Sequence, residues 1–428
     1  MGLNFMLLDH KPSNIERVSA SKPGIAIFVM PATSKAWVGA EGLWVTVAGW
    51  AEAAKRRLGN SVVVTQDRIA AADEVLDYPL VSKNEKHQNS RRFAGIPSII
   101  KIVYKDIIEW KQSWNWKIFA SLDYQKEEVA FVWEKHDLFS GSGLKLAQKY
   151  EVPYISYVHA PVVWEAEKWG VKRFSWGQFL ERREAAVLKK ADVVAVVSKE
   201  VKAKLIQLGV QKEKILVSPM AVDPELYNVP RQDTDRLKEK LGLKEKFTIG
   251  WTGSFRGFHG LEQIINAFQK VVKNNPNTVL ILVGEGKERT GIESLVNSLG
   301  IRQNVIFTGR IPYREIPLYL SVFDLAVAGA KTAVNFHYSP QKIRDYMAAG
   351  VPVLAPDAGE VSYIFQNQVH LRLFKVGEVN NIKEHMLFFL NNREERQKIG
   401  EAGKQFVLSN GTWDYEVDKC LEFLKSKK

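Results

Sequence analysis

The sequence predicts an α/β protein with two doubly wound domains, each built on a mostly parallel sheet. The first observation is that short apolar runs alternate with helical stretches, as they do when strands are covered by helices on both faces. The second is that this alternation pauses at a polar segment with two prolines and then begins again. The third is the length of 428 residues, which suggests more than one domain. Together they predict two Rossmann-like domains that face a cleft.

The N-terminal domain is predicted to cover residues 1–222. A loop containing Gly39 and a helix over 43–58 are expected after its first strand. In open parallel sheets, ligands bind beyond the carboxyl ends of the strands, so loops of this kind are candidate ligand contacts. The strands are expected at 24–30, 61–66, 128–133, 154–159 and 191–198.

The C-terminal domain is predicted to cover residues 223–411, and the final helix, 412–428, is predicted to pack back on the N-terminal domain. The segment 222–246 is interpreted as a linker because it is polar and contains two prolines. Asp233 and Asp235 in this linker resemble a metal-binding Asp-x-Asp, but the interpretation we favour is a helix N-cap. The strands of this domain are expected at 247–253, 279–286, 304–309, 324–329 and 352–356.

The composition excludes several classes of protein. A hydrophobic share of 46% and a charged share of 25% are typical of globular domains and exclude wholesale disorder. No stretch approaches the length of uncharged apolar chain that a membrane-spanning helix needs, and the first residues do not read as a secretory signal. A single cysteine, Cys420, excludes an internal disulfide and a cysteine zinc site. We therefore expect a cytoplasmic protein.

The charge balance points to anionic ligands. The net charge is +12 and the pI is near 9.4, so nucleotide phosphates, nucleic acid and an anionic membrane leaflet are the candidates on charge alone. Nucleic acid is not expected as a partner because no zinc-finger spacing or RNA-recognition aromatic signature occurs. The eight histidines form no HExxH or other close pair, so no metal site is expected.

The most informative motif is SPQKIRDYMAAGVPVLA at 339–355. Ser339 is predicted to cap a helix whose first residue is Pro340, so free N–H groups and the positive helix end would face a ligand. Such a helix start binds a diphosphate well, and Lys342 in the first turn would add a positive charge. Asp345, one turn deeper, could accept hydrogen bonds from a ribose diol. The alternative is a capped helix that only precedes a core strand.

A second motif, GSFRGFHG at 253–260, follows a predicted strand and precedes an amphipathic helix. Gly253 allows close backbone approach, and Ser254 follows it. Arg256 and His259 can donate hydrogen bonds to phosphate oxygens. The motif is not a Walker A loop because the Gly-Lys-Ser/Thr ending is absent. From these residues alone, a simple glycine turn is equally compatible.

Two further strand ends carry candidate residues. In VGEGKERTG, Gly284 and Gly286 follow a strand, but Arg289 replaces the third glycine of a dinucleotide fingerprint. The motif is therefore incomplete, and a tight turn is the alternative. His159 ends the strand in YISYVHAPVVWE, where a functional role and a structural role both remain open.

The segment 98–116 is predicted to form an amphipathic helix. Lysines flank its apolar face, which is compatible with a helix that lies on a membrane surface. The interpretation we favour is a helix whose apolar face packs on the core. The apolar positions of this face are Ile100, Val103, Ile107, Trp110 and Trp114.

These motifs resemble the family-four glycosyltransferases of GT-B fold. The resemblance covers nearly the whole chain and is most specific in GSFRGFHGLEQIINAF, LVGEGKERTGIESLVNSLG and SPQKIRDYMAAGVPVLA. It implies the retaining transfer of a sugar from a nucleotide-diphosphate sugar, without a metal ion or another cofactor. It also implies that the donor binds the C-terminal domain. The acceptor, a glycan or a lipid-linked precursor, would bind the N-terminal domain.

The resemblance assigns roles position by position. Asp345 matches the second glutamate of the family's Glu-seven-residues-Glu pattern, which holds the ribose, and Arg256 and His259 match basic residues at the diphosphate. Gly39 lies in the glycine loop that faces the donor, and His159 matches a histidine near the transferred sugar. The resemblance thus implies that His159, Arg256 and Asp345 are catalytic. Further donor contacts are expected from Gly253, Ser254, Gly284, His337, Ser339, Pro340 and Lys342.

The sequence departs from the family pattern at two of these positions. His337 stands where the first glutamate is expected, and Asp345 is shorter than glutamate. Some similar members also carry Ser-Pro-x-Lys and lack the first glutamate, so a loss of activity does not follow. Two alternatives remain open. One is a catalytically degenerate partner subunit that binds nucleotide sugars, and the other is an NAD-dependent sugar-nucleotide oxidoreductase, which would need a complete GxGxxG.

An anionic membrane surface is a further expected partner. Basic residues concentrate in segments 101–117 and 168–183, within the half that the resemblance assigns to the acceptor. Lysine and arginine gain about 1 kcal/mol each near an anionic leaflet. We therefore expect peripheral docking on the inner face of the membrane. A protein whose charge only attracts its nucleotide sugar is the alternative.

Overall fold

A computed structural model describes residues 24–33, 41–77, 97–334 and 336–426. Gly39, which the sequence places among the donor contacts, lies outside the described residues.

The N-terminal domain is built on a sheet of buried, Val- and Ile-rich strands. Each predicted strand of this domain is present, while two strands of three residues escaped prediction because so short a run carries no periodicity. The strands are β1 (Gly24–Val29), β2 (Gly59–Val64), β3 (Ile69–Ala71), β4 (Val129–Lys135), β5 (Tyr154–Val158), β6 (Val193–Val196) and β7 (Ile215–Val217).

Within the described residues, this sheet has seven strands in the order β3-β2-β1-β4-β5-β6-β7. The pairs are parallel, except that β3 runs antiparallel to β2 at the edge. The strand order changes direction between β1 and β4, which is the point where doubly wound sheets open a ligand crevice. The helices of this domain are α1 (Glu41–Leu58), α2 (Ser98–Gln112), α3 (Ser142–Tyr150), α4 (Val162–Lys168), α5 (Phe174–Lys189) and α6 (Lys199–Gln207).

The C-terminal domain repeats the architecture. Its strands are β8 (Phe247–Thr252), β9 (Thr278–Val283), β10 (Val305–Gly309), β11 (Leu325–Val327), β12 (Val353–Pro356) and β13 (Arg372–Phe374). Within the described chain they form a six-stranded parallel sheet in the order β10-β9-β8-β11-β12-β13. The crevice of this sheet therefore opens between β8 and β11.

The helices from this point to the end of the described chain cover the second sheet and return to the first. They are α7 (Arg231–Lys240), α8 (Leu261–Val272), α9 (Arg289–Ser298), α10 (Ile316–Leu320), α11 (Gln341–Ala348), α12 (Gly359–Ile364), α13 (Val379–Asn391), α14 (Arg393–Asn410) and α15 (Trp413–Lys425).

The chain crosses between the domains twice at one place. The Val222 amide donates to the Gly411 carbonyl at 2.9 Å, and the Trp413 amide donates to the Val222 carbonyl at 3.0 Å. Helix α15 then packs its buried side chains, Trp413, Val417 and Cys420, into the hydrophobic core of the N-terminal domain.

The segment predicted to be a linker is folded onto the C-terminal domain. Helix α7 lies within it, Leu237 joins the core of that domain, and the Thr234 hydroxyl lies 2.8 Å from the Ser321 hydroxyl. Asp233 and Asp235 lie inside α7, whose N-cap is Pro230. The predicted N-cap role of these aspartates is therefore wrong.

Helix α2 buries only part of the face that its periodicity suggested. Trp110 packs against a small buried hydrophobic cluster and stacks on Phe139 with a ring-centroid distance of 6.1 Å. Ile100 is 55% exposed and Trp114, just beyond the helix, is 73% exposed, so the favoured core-facing interpretation holds for Trp110 and is wrong for these two residues. The buried residue of the helix is Asp106, whose carboxylate accepts hydrogen bonds from Arg173 at 2.8 and 3.1 Å. Periodicity defines a face but does not say what covers it.

None of the described helices combines the length and the apolar composition that crossing a bilayer requires. Across the same described ranges, no group of three or more His, Cys, Asp or Glu side chains is arranged to hold a metal ion.

The docking of α15 on α1 is testable at Gly49. A Cβ atom there would lie 2.2 Å from Nε1 of Trp413, so Gly49→Ala must displace the indole. We expect the free energy of unfolding in urea to fall by about 1–3 kcal/mol, the usual effect of overpacking a core. Gly42→Ala in the same helix meets no atom within 4 Å and serves as the control. Equal stability of the two variants would contradict this packing.

Candidate active site

The cleft lies where loops from the carboxyl ends of both sheets meet. The Ser198 hydroxyl, after β6, donates to the His337 carbonyl, after β11, at 2.7 Å. The loop after β8 carries GSFRGFHG, and the loop after β11 leads into α11. These two loops therefore flank the crevice between β8 and β11, which brings the two strongest sequence motifs together.

Helix α11 begins one residue later than predicted. Its N-cap is Pro340, which offers no side-chain hydrogen bond. The Ser339 hydroxyl instead donates to Glu360 at 2.6 Å and accepts from the Met220 amide at 3.1 Å. The predicted capping role of Ser339 is therefore wrong, because this side chain joins the two domains. The N–H groups at the start of α11 are left without that cap.

Lys342 lies in the first turn of α11, and its side chain is half-buried, with the Nζ atom itself buried. Among the described residues its Nζ atom has no hydrogen-bond partner, and it lies 4.4 Å from the centroid of the Trp251 ring. Burial lowers the pKa of Lys342 to about 7, and the charge of Asp345 only partly opposes this shift. An unpaired buried ammonium is costly, so this position favours an anionic ligand.

The GSFRGFHG loop faces the same ammonium. Gly253 has a φ of +143°, and a Cβ atom there would lie 2.7 Å from Lys342 Nζ. The His259 ring lies 5.9 Å from the Trp251 ring. Burial, reinforced by the charges of Lys342 and Arg256, lowers the pKa of His259 to about 2. We call Arg256, His259 and Lys342 the basic cluster.

Gly284 and Ser254 lie beside this cluster. Gly284 has a φ of +134°, and a Cβ atom there would lie 1.9 Å from the Gly253 carbonyl oxygen. Its amide donates to the Gly309 carbonyl at 2.9 Å, so the turns after β8, β9 and β10 pack backbone against backbone. Ser254 is half-buried in this turn, and its carbonyl accepts from the Arg256 amide at 2.9 Å.

Asp345 is the centre of a buried hydrogen-bond network. Its Oδ1 atom accepts from the Tyr227 hydroxyl at 2.7 Å, from Gln341 Nε2 at 2.7 Å and from the Tyr313 hydroxyl at 3.1 Å. Burial raises the pKa of Asp345 to about 6, although these hydrogen bonds act to lower it. Sequence reasoning missed Tyr227 and Tyr313, since they come from distant loops that share no spacing with Asp345.

His159 follows β5 and is half-buried at the domain junction, with its Nδ1 atom buried. Its Nε2 atom lies 3.4 Å from the Thr46 hydroxyl, while Nδ1 has no partner among the described residues. Burial, reinforced by the nearby charge of Lys135, lowers the pKa of His159 to about 3. The ring is therefore neutral near pH 7 and can make hydrogen bonds to a ligand without adding charge.

His337 is buried against the N-terminal domain. Its Nε2 atom lies 3.3 Å from Glu165 Oε1, and its Nδ1 atom lies 3.3 Å from Lys168 Nζ. The Trp164 ring meets its edge with a centroid distance of 4.9 Å. Sequence reasoning missed Glu165 as a candidate. Glu165 and Lys168 are three residues apart, so both lie on the same face of a helix that begins shortly after His159. This spacing is the sequence feature that could have identified Glu165.

Two family models match consecutive parts of the chain. The model described as Glycosyltransferase Family 4 matches residues 42–226, and the model described as Glycosyl transferases group 1 matches residues 233–406. The chain belongs to the family-four glycosyltransferases. The predicted family is therefore confirmed, and the boundary between the two matches falls near the crossing at Val222.

Curated relatives of this family-four glycosyltransferase are distant. The chain is 25% identical over 217 residues to the 2-deoxystreptamine glucosyltransferase of Streptomyces kanamyceticus, covering 50% of this chain and 51% of that one. It is 21% identical over 237 residues to a GDP-mannose-dependent alpha-(1-6)-phosphatidylinositol monomannoside mannosyltransferase of Mycobacterium tuberculosis, covering 55% and 62%. The chain thus spans about half to two thirds of the length of the curated relatives it matches.

Solved structures extend the similarity to the whole fold. Anabaena Alr3699/HepE in complex with UDP-glucose superposes with a TM-score of 0.63 at 18% identity, covering 94% of this chain and 99% of that one. A likeness at this identity concerns the fold alone. It confirms the prediction of two parallel-sheet domains in the GT-B arrangement.

The network around Asp345 generates a stability prediction. Asp345→Ala would leave the buried donors of Tyr227, Tyr313 and Gln341 without their acceptor, so we expect the free energy of unfolding to fall by about 1–3 kcal/mol. Asp345→Asn retains an acceptor oxygen and should lose less. Urea denaturation followed by tryptophan fluorescence measures both, with the exposed Asp235→Ala as control. If the alanine variant had the same free energy of unfolding as the control, the hydrogen bonds to Asp345 would not contribute to the stability of the fold.

Proposed function

We propose that this protein is a retaining glycosyltransferase that moves a sugar from a nucleotide-diphosphate sugar to a glycan or lipid-linked acceptor without a metal ion. The observation that carries the proposal is the buried ammonium of Lys342. It lies in the first turn of α11, faces Gly253 of the loop after β8, and has no hydrogen-bond partner among the described residues. A diphosphate would supply the anion that this position lacks.

The same groups can assist the departure of the diphosphate leaving group. As the bond from the sugar to the diphosphate breaks, negative charge grows on the leaving oxygen. The N–H groups of α11, Lys342 and Arg256 would stabilise this charge. In a retaining reaction on one face of the sugar, the leaving oxygen accepts the proton of the acceptor hydroxyl. No strongly basic side chain is then required, which agrees with the low pKa of His159 and His259.

The remaining donor contacts follow the family pattern. Asp345 would hold the ribose, but its Oδ1 atom already accepts three hydrogen bonds. A ribose hydroxyl would therefore bind the other oxygen or take the place of Tyr227 or Tyr313. His159, with an unpartnered Nδ1 atom among the described residues, would face the transferred sugar.

A degenerate partner subunit is the second candidate, since His337 replaces a family glutamate. An NAD-dependent oxidoreductase is disfavoured because Arg289, in place of the third fingerprint glycine, forms ion pairs with Glu285 and Glu293. Thermal shift and turnover with UDP-glucose, UDP-N-acetylglucosamine and GDP-mannose, each with EDTA, separate these candidates. A ligand at 100 times its Kd should stabilise the fold by about 2.7 kcal/mol. Binding without turnover would favour the partner subunit.

Docking on an anionic membrane is proposed through one face of the N-terminal domain, which we call the α2 face. Its exposed apolar side chains are flanked by exposed lysines, so it combines an apolar stripe with positive charge. Two residues expected to contribute do not, because Arg173 is buried against Asp106 and Lys168 contacts His337. The α2 face consists of Ile100, Lys101, Tyr104, Lys105, Ile107, Lys111 and Trp114.

Lys342→Met should weaken the binding of UDP or GDP by about 1.5–3 kcal/mol at pH 7, the range for a hydrogen bond to a charged group. A pH dependence follows as well. The pKa of Lys342 is about 7 without ligand, and a diphosphate would raise it, so binding takes up a proton. Affinity should therefore fall from pH 7 to pH 9 in the wild type, and this slope should be smaller in the variant.

Calorimetry in buffers of different ionisation enthalpy measures both the affinity and the proton uptake. The exposed Lys244→Met is the matched control, since it removes the same charge far from the cleft. The assigned diphosphate position is refuted by a variant that binds UDP and GDP like the wild type with the same pH slope.

Charge reversal tests the α2 face. Lys101→Glu, Lys105→Glu and Lys111→Glu together should abolish co-sedimentation with vesicles of phosphatidylglycerol and phosphatidylcholine, because each lysine contributes about 1 kcal/mol near an anionic surface. Binding of the wild type should require the anionic lipid and weaken with salt.

Reversing Lys238, Lys240 and Lys244 changes the net charge equally on the C-terminal domain and should leave sedimentation unchanged. An equal loss of co-sedimentation in both triple variants would mean that vesicle binding depends on net charge and not on the α2 face. Recovery of the wild type in the supernatant with every vesicle would refute membrane docking and leave the transferase proposal intact.

A further inference from the structure

Helix α4 holds the His337 ring from one side of the cleft. Glu165 and Lys168, three residues apart on α4, contact the two ring nitrogens at 3.3 Å each. Lys168 Nζ also lies 3.3 Å from the centroid of the Trp164 ring. His337 is 1% exposed, so these contacts help to orient its ring.

The chemistry of these partners determines the position of the ring proton. A lysine ammonium can only donate, so Nδ1 of His337 accepts from Lys168. The remaining proton is then on Nε2, which donates to Glu165 Oε1. His337 therefore anchors one oxygen of the Glu165 carboxylate by a hydrogen bond across the domain boundary.

The Glu165 side chain remains accessible to solvent. It is 41% exposed, compared with 2% for that of His337. Burial alone would raise the pKa of Glu165, but the hydrogen bond from His337 and the charge of Lys135 hold it below its usual value. Glu165 is thus an ionised acceptor beside the loop that leads into α11, on the opposite domain.

We propose that Glu165 supplies, from the N-terminal domain, the carboxylate that the family pattern would place at position 337, and that it binds a hydroxyl of the transferred sugar. In this arrangement His337 is a positioning residue, because it holds the carboxylate without contacting the sugar. The inference rests on the proposed function, since it concerns the sugar of a nucleotide-sugar donor. It also makes the sugar site complete only when the two domains meet.

A purely structural tie between the domains would behave differently. Glu165→Gln retains an oxygen that can accept from His337, so a tie would survive this change while the negative charge is lost. A sugar contact would not survive it, because a hydrogen bond to a charged acceptor is stronger than one to an amide. The affinity for a nucleotide diphosphate without sugar should not change in either case.

The experiment compares UDP-glucose and UDP-N-acetylglucosamine with UDP, and GDP-mannose with GDP, by calorimetry and by turnover on the full chain. For Glu165→Gln we expect unchanged diphosphate affinity and a loss of about 10- to 100-fold in turnover, with weaker binding of the nucleotide sugar. Glu167→Gln, an exposed change on the same helix, is the control and should behave like the wild type.

The decisive test moves the negative charge from position 165 to position 337. Adding His337→Glu to Glu165→Gln returns a carboxylate to the other side of the cleft, and turnover should recover by about tenfold over the single variant. The proposal is overturned if Glu165→Gln turns over like the wild type, or if the second substitution brings no recovery. If the wild type bound neither diphosphate nor nucleotide sugar, the proposed function itself would fail first, and this inference with it.

Discussion

A buried ion pair at the domain junction determines where the candidate site lies. Arg344 donates to Glu360 at 2.8 Å, and the Ser339 hydroxyl donates to the same carboxylate oxygen at 2.6 Å. Because Ser339 also accepts from the Met220 amide at 3.1 Å, the loop between β11 and α11 is bound to the chain crossing. Removing one partner of such a pair typically costs about 3–5 kcal/mol. The orientation of α11, and with it the place of Lys342, depends on these contacts.

The cleft holds groups that would be more stable elsewhere. Burial desolvates the Lys342 ammonium and keeps the His159 ring neutral. Burial also raises the pKa of the Asp345 carboxyl group. Such groups recur at sites that bind ligands, because a ligand can supply the missing charge or hydrogen bond. The overall charge of +12 would draw anionic donors to the molecule, whereas the basic cluster defines where the diphosphate would rest.

Prediction from the sequence was accurate where the signal is local and failed where it depends on what covers a surface. Apolar runs located most strands, but β3, β7 and β13 were missed, because these three-residue strands carry too little pattern. The equally short β11 was found because it lies in a longer apolar run, 324–329. The helix at 98–116 was recognised, yet much of its apolar face is exposed, while Trp110 packs on a small buried cluster and Asp106 pairs with Arg173. Ser339 was assigned as a cap, although its hydroxyl bonds to a different helix and to the chain crossing.

The sequence by itself determined the two-domain parallel architecture and the two loops that flank the crevice of the C-terminal sheet, since glycine, proline and strand-to-helix spacing act over a few residues. Only the tertiary structure decided the partners of the key side chains. His337 meets Glu165 across 172 positions, and Asp345 meets Tyr227 across 118. Such pairs arise when separately folded elements dock, and no local pattern records which side chains will then lie within hydrogen-bonding distance.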